Sequence, residues 1–304
     1  MLFRFKRKAA TAWFSFNTRE IYETAPSVCD PSGAAVFVSQ VCHRDLPMYL
    51  LAVKSLAQYL RPRTVHVLDD TSLTERDKAI LRRHIKPIEI SPITKVKNTV
   101  CPNGGTWERL LFIADLALTS YVIQVDSDTL TLKCPNLVRE HIGESVSFTL
   151  GEWPQQQIVF AREAAALVKG ELNHRSSHVQ MVSEANLDRM PTSDELRYVR
   201  GCSGFAGFAR NSLSRSKVEK LSQEMATLVG QKKWREWGSE QVTSNLVVAN
   251  SPKAEVLPFP EYCFHSPDAD LESATFIHFI GSYRYHGGRY GRLARRIILQ
   301  LHQS

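Results

Sequence analysis

Between residues 34 and 128 the chain alternates short β-branched runs with longer stretches whose apolar residues recur at helical spacing. This alternation restricts the fold more than any other feature. Ala34 to Val41 (AAVFVSQV) predicts a buried strand, and LPMYLLAVKSLAQYL (46–60) predicts a helix. TVHVLDD (64–70) is a second strand ending in two aspartates. SLTERDKAILRRHI (72–85) is a second helix, with Ser72 three residues before Glu75 as in a capping box. KPIEIS (86–91) is a third strand. The loop CPNGGT then leads into the helix WERLLFIADLAL (107–118), and YVIQV (Tyr121 to Val125) is a fourth, buried strand. The order β-α-β-α-β-α-β predicts an α/β fold with a mostly parallel sheet and helices on its faces. Sheets of this kind bind ligands beyond the carboxyl ends of their strands.

Past residue 135 the alternation loosens. Strands are expected at 144–150, 204–209, 254–260 and 275–281, and helices at 217–230 and 239–250, with helix and loop over 163–198. The chain closes on a basic amphipathic pattern over 291–304. Residues 1–32 show no clean period, and their start, MLFRFKRKAATAWFSF, is basic and aromatic without an apolar run of signal-peptide length. Such a start either frays or touches an anionic membrane surface. No run of apolar residues reaches the length of a membrane span, so no transmembrane helix is expected. With 43% hydrophobic and 23% charged residues, the 304-residue chain is not disordered, collagen-like or coiled-coil. Its net charge, 38 − 31 = +7, suits an anionic partner without choosing among nucleotide, nucleic acid and acidic membrane. The six cysteines form no CxxC pair, so they predict neither a zinc site nor a disulfide framework, but reduced thiols in a cytosolic protein.

The sharpest local feature is Asp126-Ser127-Asp128, directly after the fourth strand. Residues i and i+2 of an extended chain point the same way, so Asp126 and Asp128 can present two carboxylates to one point. Two carboxylates that close repel unless a cation sits between them, and hard oxygen ligands suit magnesium or manganese.

The run WERLLFIADLALTSYVIQVDSDTL resembles the GT-A-type nucleotide-sugar glycosyltransferases, in which such a strand ends in a DxD signature. His278, in HFIGSYR, is similar to the start of the HxxGxxK signature of the glycogenin-like branch (glycosyltransferase family 8-like). That branch is retaining and also holds bacterial lipopolysaccharide galactosyl- and glucosyltransferases. The resemblance covers roughly residues 34–290. It implies a nucleotide-binding half (33–135) and an acceptor half (136–290), flanked by an N-terminal extension (1–32) and a basic C-terminal helix (291–304). It further implies that Asp126, Asp128 and His278 hold Mn2+ (or Mg2+), with Ser127 between the two carboxylates at the donor. Gly281 would let the backbone approach the diphosphate, and Arg284, where the family has lysine, would neutralise it. Tyr285-His286 replaces the usual Pro-Trp. GCSGFAGFAR resembles the family's N-S-G strand, with Cys202 for the asparagine and with Ser203 and Gly204 matching. WGSEQVTSNLVV resembles its D-Q segment, with Glu240 for the aspartate and Gln241 matching. Arg109 matches a donor-contacting cation. Val38, Ser39 and Gln40 would border the nucleotide base. Asp69 and Asp70 either reach the base or ribose or cap the following helix.

The expected activity is transfer of a sugar from a nucleotide-diphosphate sugar, a UDP-sugar by the resemblance, to a saccharide or glycolipid acceptor of the cell envelope. Arg109, Glu240 and Gln241 are the candidate catalytic residues, Glu240 not as a covalent nucleophile. The apolar residues of RLARRIILQL face either lipid or core, and a peripheral contact with the cytoplasmic membrane face goes with the first choice. Sugar nucleotidyl transfer would need a glycine-rich loop after the first strand, where SQVCHRDLP has none. Nucleic-acid binding is not expected, since only charge speaks for it. The alternative of a different class is a non-catalytic nucleotide-sugar-binding scaffold with a relic fold.

Overall fold

The apolar runs become strands and the helical-period runs become helices in the computed structural model, which describes residues 2–171, 178–267, 269 and 271–303. In chain order the elements begin with α1 (Leu2–Thr18), β1 (Ser27–Val28), β2 (Ala35–Val41), α2 (Leu46–Leu60), β3 (Val65–Asp69), α3 (Glu75–His84), β4 (Ile85–Lys86), β5 (Ile88–Pro92), α4 (Trp107–Leu116) and β6 (Tyr121–Val125). Then come β7 (Thr129–Thr131), α5 (Asn136–Glu144), β8 (Ser147–Gly151), β9 (Val159–Phe160), α6 (Ala161–Glu171), α7 (Val179–Glu184), β10 (Arg197–Tyr198) and β11 (Gly201–Phe208). The last are α8 (Arg215–Val229), α9 (Gln231–Trp234), α10 (Ser239–Ala249), β12 (Ala254–Leu257), β13 (Tyr262–Phe264), β14 (Phe276–His278) and α11 (Arg289–Gln303). The class is the expected one, α/β with mostly parallel sheet strands flanked by helices. Residues 172–177, inside the expected helix-and-loop stretch, lie outside the described residues.

The chain divides into two compact units: Met1–Pro92 with Val125–Glu140 and Phe259–Ser304, and Ile93–Gln124 with His141–Pro258. In the first, β2, β3 and β5 run parallel, with Val41 beside Asp69 and Asp69 beside Pro92. β2 and β3 are almost wholly buried, which is why they read as continuous apolar runs rather than as alternating ones. α2 is buried along most of its length and carries Lys54 in with it. The Lys54 ammonium donates to the Ala25 carbonyl at 2.5 Å and lies 3.3 Å from His84 Nδ1. Burial pushes the Lys54 pKa down to about 8. Burial, then the charges of Lys54 and Arg83, push His84 down to about 4. A small separate sheet sets β14 antiparallel to β7 and parallel to β13.

In the second unit β8 lies between β12, parallel to it, and β11, antiparallel, with β6 on the far side of β11. Gly207 permits this close approach, because a Cβ there would come within 2.3 Å of the Phe148 ring. Trp107 of α4 meets Trp234 of α9 edge-on, ring centroids 5.7 Å apart.

Three features differ from expectation, and one open choice is decided. The capping box of α3 is Thr74 and Asp77, not Ser72 and Glu75. Ser72 is already engaged, donating from Oγ to Asp70 Oδ1 at 2.6 Å and accepting from the His43 backbone N–H. Residues 2–18, where no clean period is visible, form α1, whose Phe14 packs on Tyr285 and Tyr290. That partner lies at the other end of the chain, so local pattern carries no trace of it. The short β7, α5 and β13 are additions. The choice left open for α11 falls to the core for one face, which buries Tyr290, Gly291, Ala294, Ile297, Ile298 and Leu301, while Leu299 on the other face stays exposed. All six cysteines are thiols. No helix among the described residues is long and apolar enough to cross a membrane.

Candidate functional site

Strand register builds the site. β6 is an unbroken buried strand, and Asp126 is the first residue beyond it. Three residues later β7 begins, antiparallel to β14, with Thr129 opposite His278 and Leu130 opposite Ile277. The Phe279 N–H donates to the Asp128 carbonyl at 2.7 Å, extending the ladder by one bond. His278 thereby comes beside the aspartates despite its distance in sequence. Its Nε2 lies 3.1 Å from Asp128 Oδ1 and 3.9 Å from Asp126 Oδ2. One ligand atom from each of the three residues lies within 4.8 Å of the other two.

The Arg284 guanidinium bonds the second oxygen of Asp128 and is itself held by the Phe279 carbonyl, 3.1 Å from Nε. Burial alone would raise the Asp128 carboxyl. The charge and hydrogen bond of His278, with the charge of Arg284, outweigh it and hold the pKa down at about 2. Asp128 is therefore ionised at any working pH. Two carboxylate oxygens and an imidazole nitrogen form a donor set that suits manganese or magnesium. Ligands of one ion at roughly 2.1 Å stand at most about 4.2 Å apart, so a small closing movement fits this cluster to a single ion.

The other expected residues of the same unit are disposed as follows. Gly281 has φ +54° with no atom within 4 Å of where a Cβ would point, so the backbone is open on that side. Val38 and Ser39 are buried, and Ser39 Oγ donates to the Val125 carbonyl at 2.7 Å, tying β2 to the residue before Asp126. Gln40 is half-buried, and its Oε1 is shielded from solvent without a hydrogen-bond partner. Asp69 accepts from the Thr71 and Leu73 backbone N–H groups at 2.8 and 3.1 Å and pairs with Lys78 at 3.2 Å. Asp70 closes on Ser72 in the same way. Both aspartates are thus engaged in the turn that leads into α3.

The second unit gathers Arg109, Glu240 and Gln241 at the starts of α4 and α10. Arg109 and Glu240 are buried, with NH2 3.9 Å from Oε1, and Thr106 Oγ1 donates to Glu240 Oε2 at 2.8 Å. Trp107 Nε1 donates to Ser239 Oγ at 2.9 Å and locks the two helix starts together. Gln241 Oε1 accepts from both N and Oγ of Ser203 at 3.3 Å, while its Nε2 donates to Gln180 Oε1 at 3.1 Å. Gln180 in turn donates to Glu184, whose buried carboxylate also takes Tyr198 OH at 2.7 Å and the Arg200 guanidinium. Gln180, Glu184 and Arg200 are not among the residues expected from sequence. They sit in different elements with no recurring spacing, so only the residues' polarity inside a buried region could have marked them. Glu152 belongs to the same surroundings. Burial pushes its pKa up to about 7, against the pull of Arg200.

No protein-family model and no curated protein matches the chain. Solved structures do. WbbM, a bifunctional glycosyltransferase in its apo form, matches with a TM-score of 0.53 at 12% identity, over 90% of this chain and 52% of its own. The present chain thus spans about half the length of that protein. An active-site mutant of LgtC matches at 0.48 and 12% identity, over 85% of this chain and 95% of its own. Core-mannan synthase A from Aspergillus fumigatus, in its Mn/GDP form, matches at 0.46 and 10%, over 90% and 88%. At these identities the likeness is one of fold, and the last two scores add no weight to it. What this chain shares with WbbM is the GT-A-type glycosyltransferase fold.

Proposed function

We propose that this chain is a metal-dependent glycosyltransferase that moves a sugar, a hexose in our reading, from a nucleotide-diphosphate sugar to a saccharide or glycolipid acceptor. The observation that carries this is the meeting of Asp126, Asp128 and His278 around one point, with Arg284 on Asp128. The fold shared with WbbM, a glycosyltransferase by name, supports it. Glycosyl transfer builds negative charge on a departing diphosphate, and fixed cations there stabilise the transition state. A bound Mn2+ or Mg2+ would supply Lewis-acid neutralisation of that charge. Asp126, Asp128 and His278 would hold it. Arg284 adds a permanent positive charge at the same spot, and the open backbone at Gly281 leaves room for the phosphates.

The finer assignments rest on the resemblance. The donor is a UDP-sugar, the metal manganese, and configuration is retained. Val38, Ser39, Gln40 and Asp69, at the ends of the parallel β2 and β3, border the nucleotide, and Gln40 Oε1 offers it an acceptor. Ser127 flanks the diphosphate between the two metal-holding carboxylates. Arg109, Glu240 and Gln241 complete the catalytic set, with Glu240 as a charged hydrogen-bonding group rather than a covalent nucleophile. The reaction serves envelope saccharide assembly on the cytoplasmic side.

Calorimetric titration of UDP and of GDP, each with and without Mn2+, tests the reading on the wild type and on Asp128→Ala. The expected outcome is nucleotide binding that requires the ion and is weakened at least about 100-fold by the substitution. Hydrolysis of the matching nucleotide sugar would follow the same pattern. Binding without hydrolysis or transfer would favour the scaffold alternative. Failure of both nucleotides to bind with the ion present would sink the proposal.

A further inference from the structure

The helix pair formed by α1 and α11 presents a surface that contributes none of the residues assigned above to the metal or the donor. Phe14 fastens the pair, its ring centroid 4.5 Å from that of Tyr290 and 5.4 Å from that of Tyr285. Trp13 lies over Gly291, where a Cβ would come within 2.3 Å of its ring. The rest of Trp13 stays 41% exposed, and Phe16 is 62% exposed, with the Arg19 guanidinium 4.2 Å from its ring centroid. Arg292 reaches the same place, since a Cβ on Gly288 would meet both the Arg292 guanidinium and the Trp13 ring at 3.2 Å.

From Arg292 the surface runs into a cavity of about 370 Å³ lined by Arg289, Arg292, Arg296, Leu293, Leu271 and Glu272. Arg289 is anchored by donating to the Ala269 carbonyl at 2.8 Å. Among the described residues, one carboxylate faces three guanidiniums there. Asp268 and Asp270 lie outside the described residues. The charge is one-sided along both helices. No acidic residue occurs from Leu2 to Arg19 or after Glu272, while those stretches carry Arg4, Lys6, Arg7, Lys8 and Arg19, and Arg284, Arg289, Arg292, Arg295 and Arg296.

Exposed aromatic rings interleaved with guanidiniums match a lipid–water boundary, where rings settle at headgroup depth and cations meet phosphates. Leu299, a turn beyond Arg295 and Arg296, is 53% exposed and adds an apolar group that a polynucleotide would not need. We propose that α1 and α11 together form a docking surface for an anionic membrane. The Arg289, Arg292 and Arg296 cavity takes a lipid phosphate headgroup, and Trp13 and Phe16 sit in the interface. The buried apolar face of α11 stays in the core, so the contact is peripheral and reversible. The inference does not depend on the catalytic reading.

Co-sedimentation of the full chain with phosphatidylcholine vesicles, with and without phosphatidylglycerol, tests it. Binding is expected only with the anionic lipid and should weaken as salt rises. The Arg292→Gln/Arg296→Gln double variant should partition about 30-fold more weakly. Phe16→Ser, a change at an exposed position, gives a second readout and should also weaken binding while leaving the unfolding midpoint unchanged. Equal binding to neutral vesicles overturns the proposal, as does no binding at all, or a double variant that binds like the wild type. Retention on heparin without vesicle binding assigns the surface to another polyanion and overturns it too.

Discussion

Asp128 answers to three neighbours at once: the His278 imidazole, the Arg284 guanidinium and, through its backbone carbonyl, the Phe279 N–H. A carboxyl held down at about 2, against an ordinary 3.8, stabilises the folded state fully above the ordinary value and loses that contribution as pH falls through the folded one. Asp128→Asn should therefore be less stable than the wild type at neutral pH by about 2 kcal/mol. The gap should close between roughly pH 4 and pH 2. Urea unfolding of both proteins across this range measures it, and a gap that does not narrow would refute the assignment. Gln40 and Gln241 show how differently two glutamines can be used. Gln241 is bonded at both ends of its amide, while Gln40 keeps an acceptor in reserve.

At the level of elements, α2 brings a cost into the core with Lys54. Its folded pKa of about 8 lies below the ordinary 10.5, so the folded state resists protonation that the unfolded chain accepts. Stability should rise with pH between about 8 and 10.5, by up to about 3 kcal/mol, and Lys54→Met should lack that rise. Unfolding midpoints at pH 7.5 and pH 10.5 would show it. At the head of α3, Thr74→Ala should cost about 1 kcal/mol in denaturant unfolding, as expected for a lost N-cap. The same elements show what could be read beforehand. Strands β2, β3 and β6 were legible because burial on both faces leaves an unmistakable apolar run. Asp126 and Asp128 were legible because they follow such a run at the ligand-bearing edge. β7 was not, because three residues make no pattern and its partner β14 lies far along the chain. His278 was visible only through its resemblance to a known signature, and the register that carries it to Asp128 is a tertiary fact. The cap of α3 was misplaced because Ser72 and Thr74 have equal capping chemistry, and the Asp70 turn decides between them.

Across the molecule, the chain passes between its two units repeatedly, leaving the second at Gln124 and entering the first at Val125, directly ahead of Asp126. The first unit is closed by its ends. Phe14 of α1 lies in a ring cluster with Tyr285 and Tyr290, and Tyr290 stacks on Phe279 at 4.1 Å, one residue from His278. Phe14→Ala should lower stability by about 3 kcal/mol, measurable by calorimetry, through the cavity it leaves. The closure also orders events on the ribosome. α1 and the DSD segment leave the exit tunnel early, but the residues they wait for, His278, Arg284 and Tyr290, leave it late. Until then the nascent chain has an amphipathic helix with no partner and two aspartates with no histidine. An ion arriving before His278 finds two of its three ligands.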